Sequence, residues 1–388
     1  MTMNAAQLLG TVRDLKPVIA KRAADCERLR RLPDETFRDF QEAGLFRWFQ
    51  PRTFGGDEGD PLSFYQAQME IGEVCGSSAW VLGVLGVHVW QMGLFSEKAR
   101  RDVWGDDRGA QISSALAPQG KVVRAPGGYR LSGQWSFSSG CDHAPWVVLG
   151  GIVREEGIPP TNAAFLVPRE DYQIIDTWFV CGLAGTGSKD ILVEDAFVPE
   201  HRVCHRFYDV QPSNPRPLYR LPFGCVFRSG IATPAIGAAR GALRTFVEQT
   251  RSRLAGYDKA RIADDPFPQA AIGEGAADVH GSRERFEAAW REIWARVESG
   301  QQPPMELRRR IALNCVQSVE SALRLVTRLF ALSGGRAIYL DNPIQRVWRD
   351  VNAMRHHALN NADKVTRMYG RYDLDPNAAP LDPGDSLI

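Results

Sequence analysis

The period of the hydrophobic pattern changes twice along this chain, and that constrains the fold more than any other feature. Up to about residue 110, apolar side chains recur at helical spacing, as in Leu8, Val12, Leu15, Ile19, Ala23 and Cys26. Pro33-Asp34-Glu35 starts a further short helix that Gly44 closes, and Ser96-Glu97-Lys98 starts another. From about 111 the texture is that of strands. Residues 121–124 and 129–137 flank Pro126-Gly127-Gly128 as a hairpin, and 146–153, 163–167 and 191–198 are further β-rich runs. Residues 209–222, with Pro212, Pro215, Pro217 and Pro222, form a linker or loop. Helical spacing then returns over 231–251, 269–298, 304–332 and 343–368. This predicts an α+β protein: a helical domain over 1–110, a β domain over 111–222, a helical bundle over 223–372 and an extended tail over 373–388.

Composition narrows the function classes. A chain of 388 residues can bury a large core. A net charge of +1 provides no bulk attraction to nucleic acid or to a membrane surface. The longest apolar run, 79–92, is broken by Gly83, Gly86 and His88 and falls short of a membrane span. The N-terminus lacks a secretory pattern. The 7 cysteines are scattered and none forms C-x-x-C, which argues for a reducing compartment and against a zinc site or a disulfide framework. A cytoplasmic protein is expected.

Four blocks carry the chemistry. The first is Gly76-Ser77-Ser78-Ala79-Trp80 running on to His88 in an apolar helix. The second is Leu131-Ser132-Gly133-Gln134-Trp135-Ser136-Phe137-Ser138-Ser139-Gly140 on a strand. The third is Gly182-Leu183-Ala184-Gly185-Thr186-Gly187-Ser188-Lys189-Asp190, a glycine-rich turn before a strand. It lacks the order and the βαβ setting of a dinucleotide fingerprint. The fourth runs from Gly334-Gly335 through Pro343, Arg346 and Arg349-Asp350 to His356-His357-Ala358. Each block has an ordinary reading: a core histidine, outward strand serines, a tight turn, an exposed helix.

Their order and spacing resemble the acyl-CoA dehydrogenase superfamily over nearly the whole chain, from about residue 29 to 369. The fold implied has an N-terminal helical domain, a central β-barrel-like domain and a C-terminal four-helix bundle. The dehydrogenases place a catalytic glutamate eight residues past the Asp of the last block; here that position is Ala358, beside His357. The second and third blocks are more similar to the flavin-dependent monooxygenases of the superfamily, the oxygenase components of two-component aromatic hydroxylases. In the third block Ala184 stands where those enzymes have an arginine.

That resemblance implies a mechanism. Reduced flavin, FMNH2 in preference to FADH2, arrives from a separate NAD(P)H:flavin reductase and reacts with O2 to give a C4a-hydroperoxide. Such an adduct needs a dry pocket and a hydrogen-bond partner at N5. Ser139 is expected in that role and His357 as the base toward a phenol. His88 and Trp80 are expected at the substrate, a small aromatic molecule, phenolic or polyketide-like. Phe137, Ser138, Ser139, Ser113, Thr186, Ser188, Arg253, Gly334 and Gly335 are expected to hold the flavin. Arg346 and Asp350 read as a helical ion pair, with Asp350 two turns from His357 on one continuous helix. Ala331 replaces a glutamine that helps the dehydrogenases hold FAD, which suits FMN or a flavin that comes and goes. A homotetramer is the family's assembly.

Three other readings stay open: oxygenation at nitrogen or sulfur on the same scaffold, an acyl-CoA dehydrogenase with a relocated base, and a helical binding protein without catalysis.

Overall fold

The computed structural model describes residues 3–155, 157–208, 216–256, 259–375 and 377–378. The first helix, α1 (Ala5–Leu29), starts at a capping box. The Asn4 side chain accepts from the Gln7 N–H, and Gln7 returns the bond to the Asn4 N–H. Its buried stripe is Leu8, Val12, Ile19, Ala23 and Cys26. Then come α2 (Asp34–Glu42), α3 (Pro61–Gly72), α4 (Gly76–Met92) and α5 (Glu97–Trp104).

Every residue of α4 is buried. It packs against α3, against α6 of the C-terminal half and against the first strand. Its glycines let backbones close in: a Cβ at Gly83 would lie 2.8 Å from the Gly230 carbonyl oxygen of α6. The apolar run is therefore a core helix. No helix among the described residues is long and apolar enough to cross a membrane.

The strands are β1 (Ile112–Ala125), β2 (Gly128–Ser138), β3 (Trp146–Glu155), β4 (Ile158–Pro168), β5 (Gln173–Ile175), β6 (Lys189–Pro199) and β7 (Val203–His205). They form one mixed sheet in the order β5-β6-β2-β1-β3-β4-β7. A register shift between Ala115 and Gly120 divides β1. Its first half runs parallel to β3, and its second half forms the expected hairpin with β2. Strand β4 also packs against β6, and Leu131, Trp135, Leu149, Phe165 and Ile191 share one apolar cluster. The expected barrel-like layer is thus an open, folded sheet whose edges, among the described residues, are β5 and β7.

The C-terminal half holds α6 (Phe223–Ser252), α7 (Pro266–Glu298), α8 (Met305–Leu332), α9 (Pro343–Arg355) and α10 (Ala362–Leu374). Helix α6 begins earlier than its spacing suggested. The single helix expected over 343–368 is broken: α9 stops at Arg355, residues 358–360 form a 3₁₀ turn, and α10 starts afresh. Two asparagines cause this. Asn360 Nδ2 donates to the Met354 carbonyl at 2.8 Å, and Asn361 caps α10 by accepting from the Lys364 N–H at 2.9 Å. The expected loop over 209–222 lies outside the described residues as far as 215, with a 3₁₀ turn at Pro217–Arg220. Most of the expected tail also lies outside them.

Candidate active site

Side chains from α4, β1, β2, the 182–188 loop, α6 and the 358–360 turn converge. Trp80, in the first half of α4, joins two of the expected catalytic residues. Its Nε1–H donates to Ser139 Oγ at 3.2 Å, and its ring meets the His357 ring edge-on with centroids 5.6 Å apart. Ser139 Oγ lies 2.7 Å from Ser188 Oγ, which lies 2.7 Å from Thr186 Oγ1. Thr186 Oγ1 donates to the Leu183 carbonyl at 2.8 Å.

Four of the expected flavin contacts are buried side chains tied to one another or to Ser139. Ser113 and Ser138 are fully buried, and the Ser138 hydroxyl donates to Ser113 Oγ across the sheet. Thr186 and Ser188 are also buried and stand behind Ser139. Phe137, in contrast, is 71% exposed, holds a left-handed backbone (φ +71°), and meets Trp178 edge-on at 6.0 Å.

Arginine 253 and the glycine pair form a second, separate group. Arg253 Nη2 donates to the Leu332 carbonyl at 2.7 Å, just before the turn in which Gly334 has φ +67°. Gly334 and Gly335 are exposed, and so is the apolar run Ile338, Tyr339 and Leu340.

The expected ion pair between Arg346 and Asp350 does not form. Asp350 Oδ1 instead accepts the Leu183 N–H at 2.7 Å, and Arg349 Nη1 donates to the Cys181 carbonyl at 2.7 Å. The Arg349-Asp350 pair therefore grips the 181–183 loop from α9. A Cβ on Gly182 would lie 2.2 Å from the Arg349 carbonyl oxygen, so only glycine allows this approach. Burial pushes the Asp350 carboxyl up to about 7, against the lowering effect of the Leu183 N–H.

Because α9 ends before it, His357 is not two turns from Asp350 on a common helix. It caps the 3₁₀ turn, with its Nδ1 accepting the Leu359 N–H at 3.1 Å. The ring is half-buried, whereas His356 is exposed. Burial, and then the charge of Arg228, lower the His357 imidazole to about 4. A neutral ring that accepts at Nδ1 carries its proton on Nε2.

Further along α4, roughly 12 Å from Trp80 along the axis, His88 is fixed at both nitrogens. Nδ1 lies 3.2 Å from Gln91 Oε1 and Nε2 lies 2.7 Å from Ser114 Oγ. With the Gln91 oxygen turned to the ring, the proton sits on Nδ1 and Ser114 donates to Nε2. Burial lowers His88 to about 4. Its ring also meets Phe227 of α6 at 5.3 Å.

Ser114 and Arg228 were missed at the sequence level. Ser114 sits next to Ser113, and strand alternation sends the two to opposite faces. Arg228 is buried, donates from Nη1 to the Leu359 carbonyl at 2.6 Å, and leaves a buried Nε without a partner. A buried arginine without a carboxylate partner is the one available signal, and it requires coordinates.

Comparisons with known proteins identify the family. The family described as acyl-CoA dehydrogenase, N-terminal domain, matches residues 4–104, and acyl-CoA dehydrogenase, C-terminal domain, matches 229–362. The oxygenase subunit HsaA of a flavin-dependent monooxygenase from Rhodococcus jostii (strain RHA1) is 40% identical over 371 residues, covering 92% of this chain and 95% of that protein. The crystal structure of the HsaA monooxygenase from M. tuberculosis superposes with a TM-score of 0.91 at 37% identity, covering 100% of both chains. XiaF from Streptomyces sp., solved in complex with FADH2 and glycerol, superposes with a TM-score of 0.89 at 28% identity, covering 97% of this chain and 98% of that one. The chain belongs to the flavin-dependent monooxygenase branch of the acyl-CoA dehydrogenase superfamily, among the oxygenase components of two-component aromatic hydroxylases.

Proposed function

We propose that this protein hydroxylates a small phenolic substrate with reduced flavin and O2, the flavin being supplied by a separate NAD(P)H:flavin reductase. The observation that carries the reading is the joining of Ser139, Trp80 and His357 through one indole ring, with the His88–Ser114 pair further along the same helix.

The residues present fit a flavin. The exposed Phe137 offers an apolar face, and Ser139 offers a hydroxyl already oriented from behind. Phe137 and Ser139 of one protomer would hold the ring. The flavin supplies, when bound, the electrons that activate O2. Arg253, Gly334 and Gly335 would meet it from a second protomer of a homotetramer. The exposed run Ile338, Tyr339 and Leu340 beside them supports that assembly. FMN stays favoured over FAD on the strength of Ala331.

The two histidines take parts different from those expected from sequence. With its Nδ1 occupied and burial opposing the cation, His357 presents an Nε2–H and acts as a hydrogen-bond donor. Ser114 has spent its proton on His88, so it presents acceptor lone pairs. A phenol would donate its O–H to Ser114, raising electron density on the ring without placing a full charge in a dry site. Trp80 closes the wall between the two sites and keeps water out.

Substrate-induced O2 consumption with FMNH2 tests this reading. Ser114→Ala should lower coupling of O2 use to hydroxylation by about 10²-fold at most and weaken binding of the phenol. Unchanged coupling and unchanged phenol affinity in Ser114→Ala would remove the basis for the assignment.

A further inference from the structure

The 2.8 Å contact of the Thr186 hydroxyl with the Leu183 carbonyl sets the direction of the protons along the serine and threonine chain behind Ser139. Each hydroxyl has a single proton to give and two lone pairs to receive. The Leu183 carbonyl can only accept, so Thr186 gives its proton there. Thr186 is then an acceptor toward Ser188, and Ser188 must donate to it. Ser188, its proton spent, must accept from Ser139. The Trp80 indole N–H, which can only donate, takes one of the two Ser139 lone pairs.

Ser139 is left with one lone pair and no proton to offer. The anchor of the chain is rigid. Leu183 holds a left-handed backbone (φ +53°), and its N–H is tied to Asp350 Oδ1 at 2.7 Å. Its carbonyl is shared with the Trp178 Nε1–H at 3.1 Å and the Thr186 N–H at 3.1 Å, and the Thr186 hydroxyl makes the shortest of the three contacts.

We propose that Thr186 and Ser188 are positioning residues which make Ser139 an obligate hydrogen-bond acceptor, and that this polarity selects reduced over oxidised flavin. The inference rests on the reading that Ser139 faces the flavin N5. Reduced flavin carries a hydrogen on N5 and can donate to Ser139. Oxidised flavin has only a lone pair there, and two lone pairs repel. Cutting the chain frees the Ser139 proton. In Ser188→Ala, Ser139 has no acceptor behind it and can turn its O–H forward. In Thr186→Val, Ser188 can reverse and donate to Ser139, with the same result.

The experiment is a measurement of affinity. Oxidised FMN and, anaerobically, FMNH2 are titrated into the full-length wild type and each variant, with FAD and FADH2 in parallel. The wild type should bind the reduced form more tightly. Thr186→Val and Ser188→Ala should each cut that preference about tenfold by gaining affinity for the oxidised form, a shift of about 30 mV in the midpoint potential of the bound two-electron couple. Thr186→Ser should keep the wild-type ratio. A packing defect would weaken both oxidation states together and leave the ratio where it was. If Ser139→Ala abolishes the preference while Thr186→Val and Ser188→Ala retain it, the polarity argument is wrong although Ser139 still faces the flavin. If Ser139→Ala itself leaves the ratio unchanged, the placement of Ser139 falls and the inference with it.

Discussion

The two imidazoles in the site are neutral for the same reason: burial makes the cation expensive, and each ring has nitrogen partners that fix one tautomer. This has a consequence for stability. His88 and His357 sit at about 4, below their ordinary value of 6.5. The unfolded chain therefore binds more protons in that window. Their contribution to stability is fully present above pH 6.5 and is lost as the pH falls toward 4, with a slope of up to about 1.4 kcal/mol per pH unit for each. Urea denaturation at pH 7.5 and pH 5 should show a steeper loss in the wild type than in His357→Gln. Arg228 adds to the lowering of His357 by charge repulsion. Arg228→Met should therefore raise the His357 titration midpoint, read by NMR of the ring protons, while burial keeps it below 6.5.

At the scale of elements, the site is held by contacts between segments distant in sequence. Helix α9 grips the 181–183 loop through Arg349 and Asp350, and that loop orients the hydroxyls behind Ser139. Gly182 allows the approach. Gly182→Ala should destabilise the fold by about 1–3 kcal/mol, because the added methyl meets a backbone carbonyl that cannot rotate away. The loss should appear in chemical denaturation, and flavin affinity should fall with it, since the loop and Ser139 move together. An unchanged midpoint would mean that α9 and the loop do not pack as tightly as described.

For the whole molecule, the second group of expected flavin residues matters most. Arg253, Gly334 and Gly335 cluster with exposed Ile338, Tyr339 and Leu340, and the Leu340 side chain is among the most exposed apolar groups at 80%. A monomer gains nothing from such a run, whereas an interface buries it. If the run forms the proposed interface, Leu340→Asp should shift the protein toward smaller species in sedimentation velocity. It should weaken flavin binding at low protein concentration, where dissociation is greatest. An assembly undisturbed by this change would place the interface elsewhere.

Much of the architecture was legible in the sequence because hydrophobic periodicity is a local record of which face is buried. The helix stripe of α1 and the 126–128 hairpin turn follow from it. The order of the four motif blocks was sufficient to indicate the family and its branch. Other features depend on residues that meet only after folding. The sequence placed Asp350 opposite Arg346, yet its carboxylate meets a backbone N–H from the 181–183 loop. It placed His357 on a continuous helix, yet Asn360 and Asn361 had stopped that helix first. It named Ser113 and passed over Ser114, because which serine reaches His88 is set by the pleat of β1. Local patterning thus determined the elements and the chemistry available. Hydrogen-bond direction and proton placement were decided by tertiary structure alone, since they depend on which donor and acceptor are brought within about 3 Å of one another.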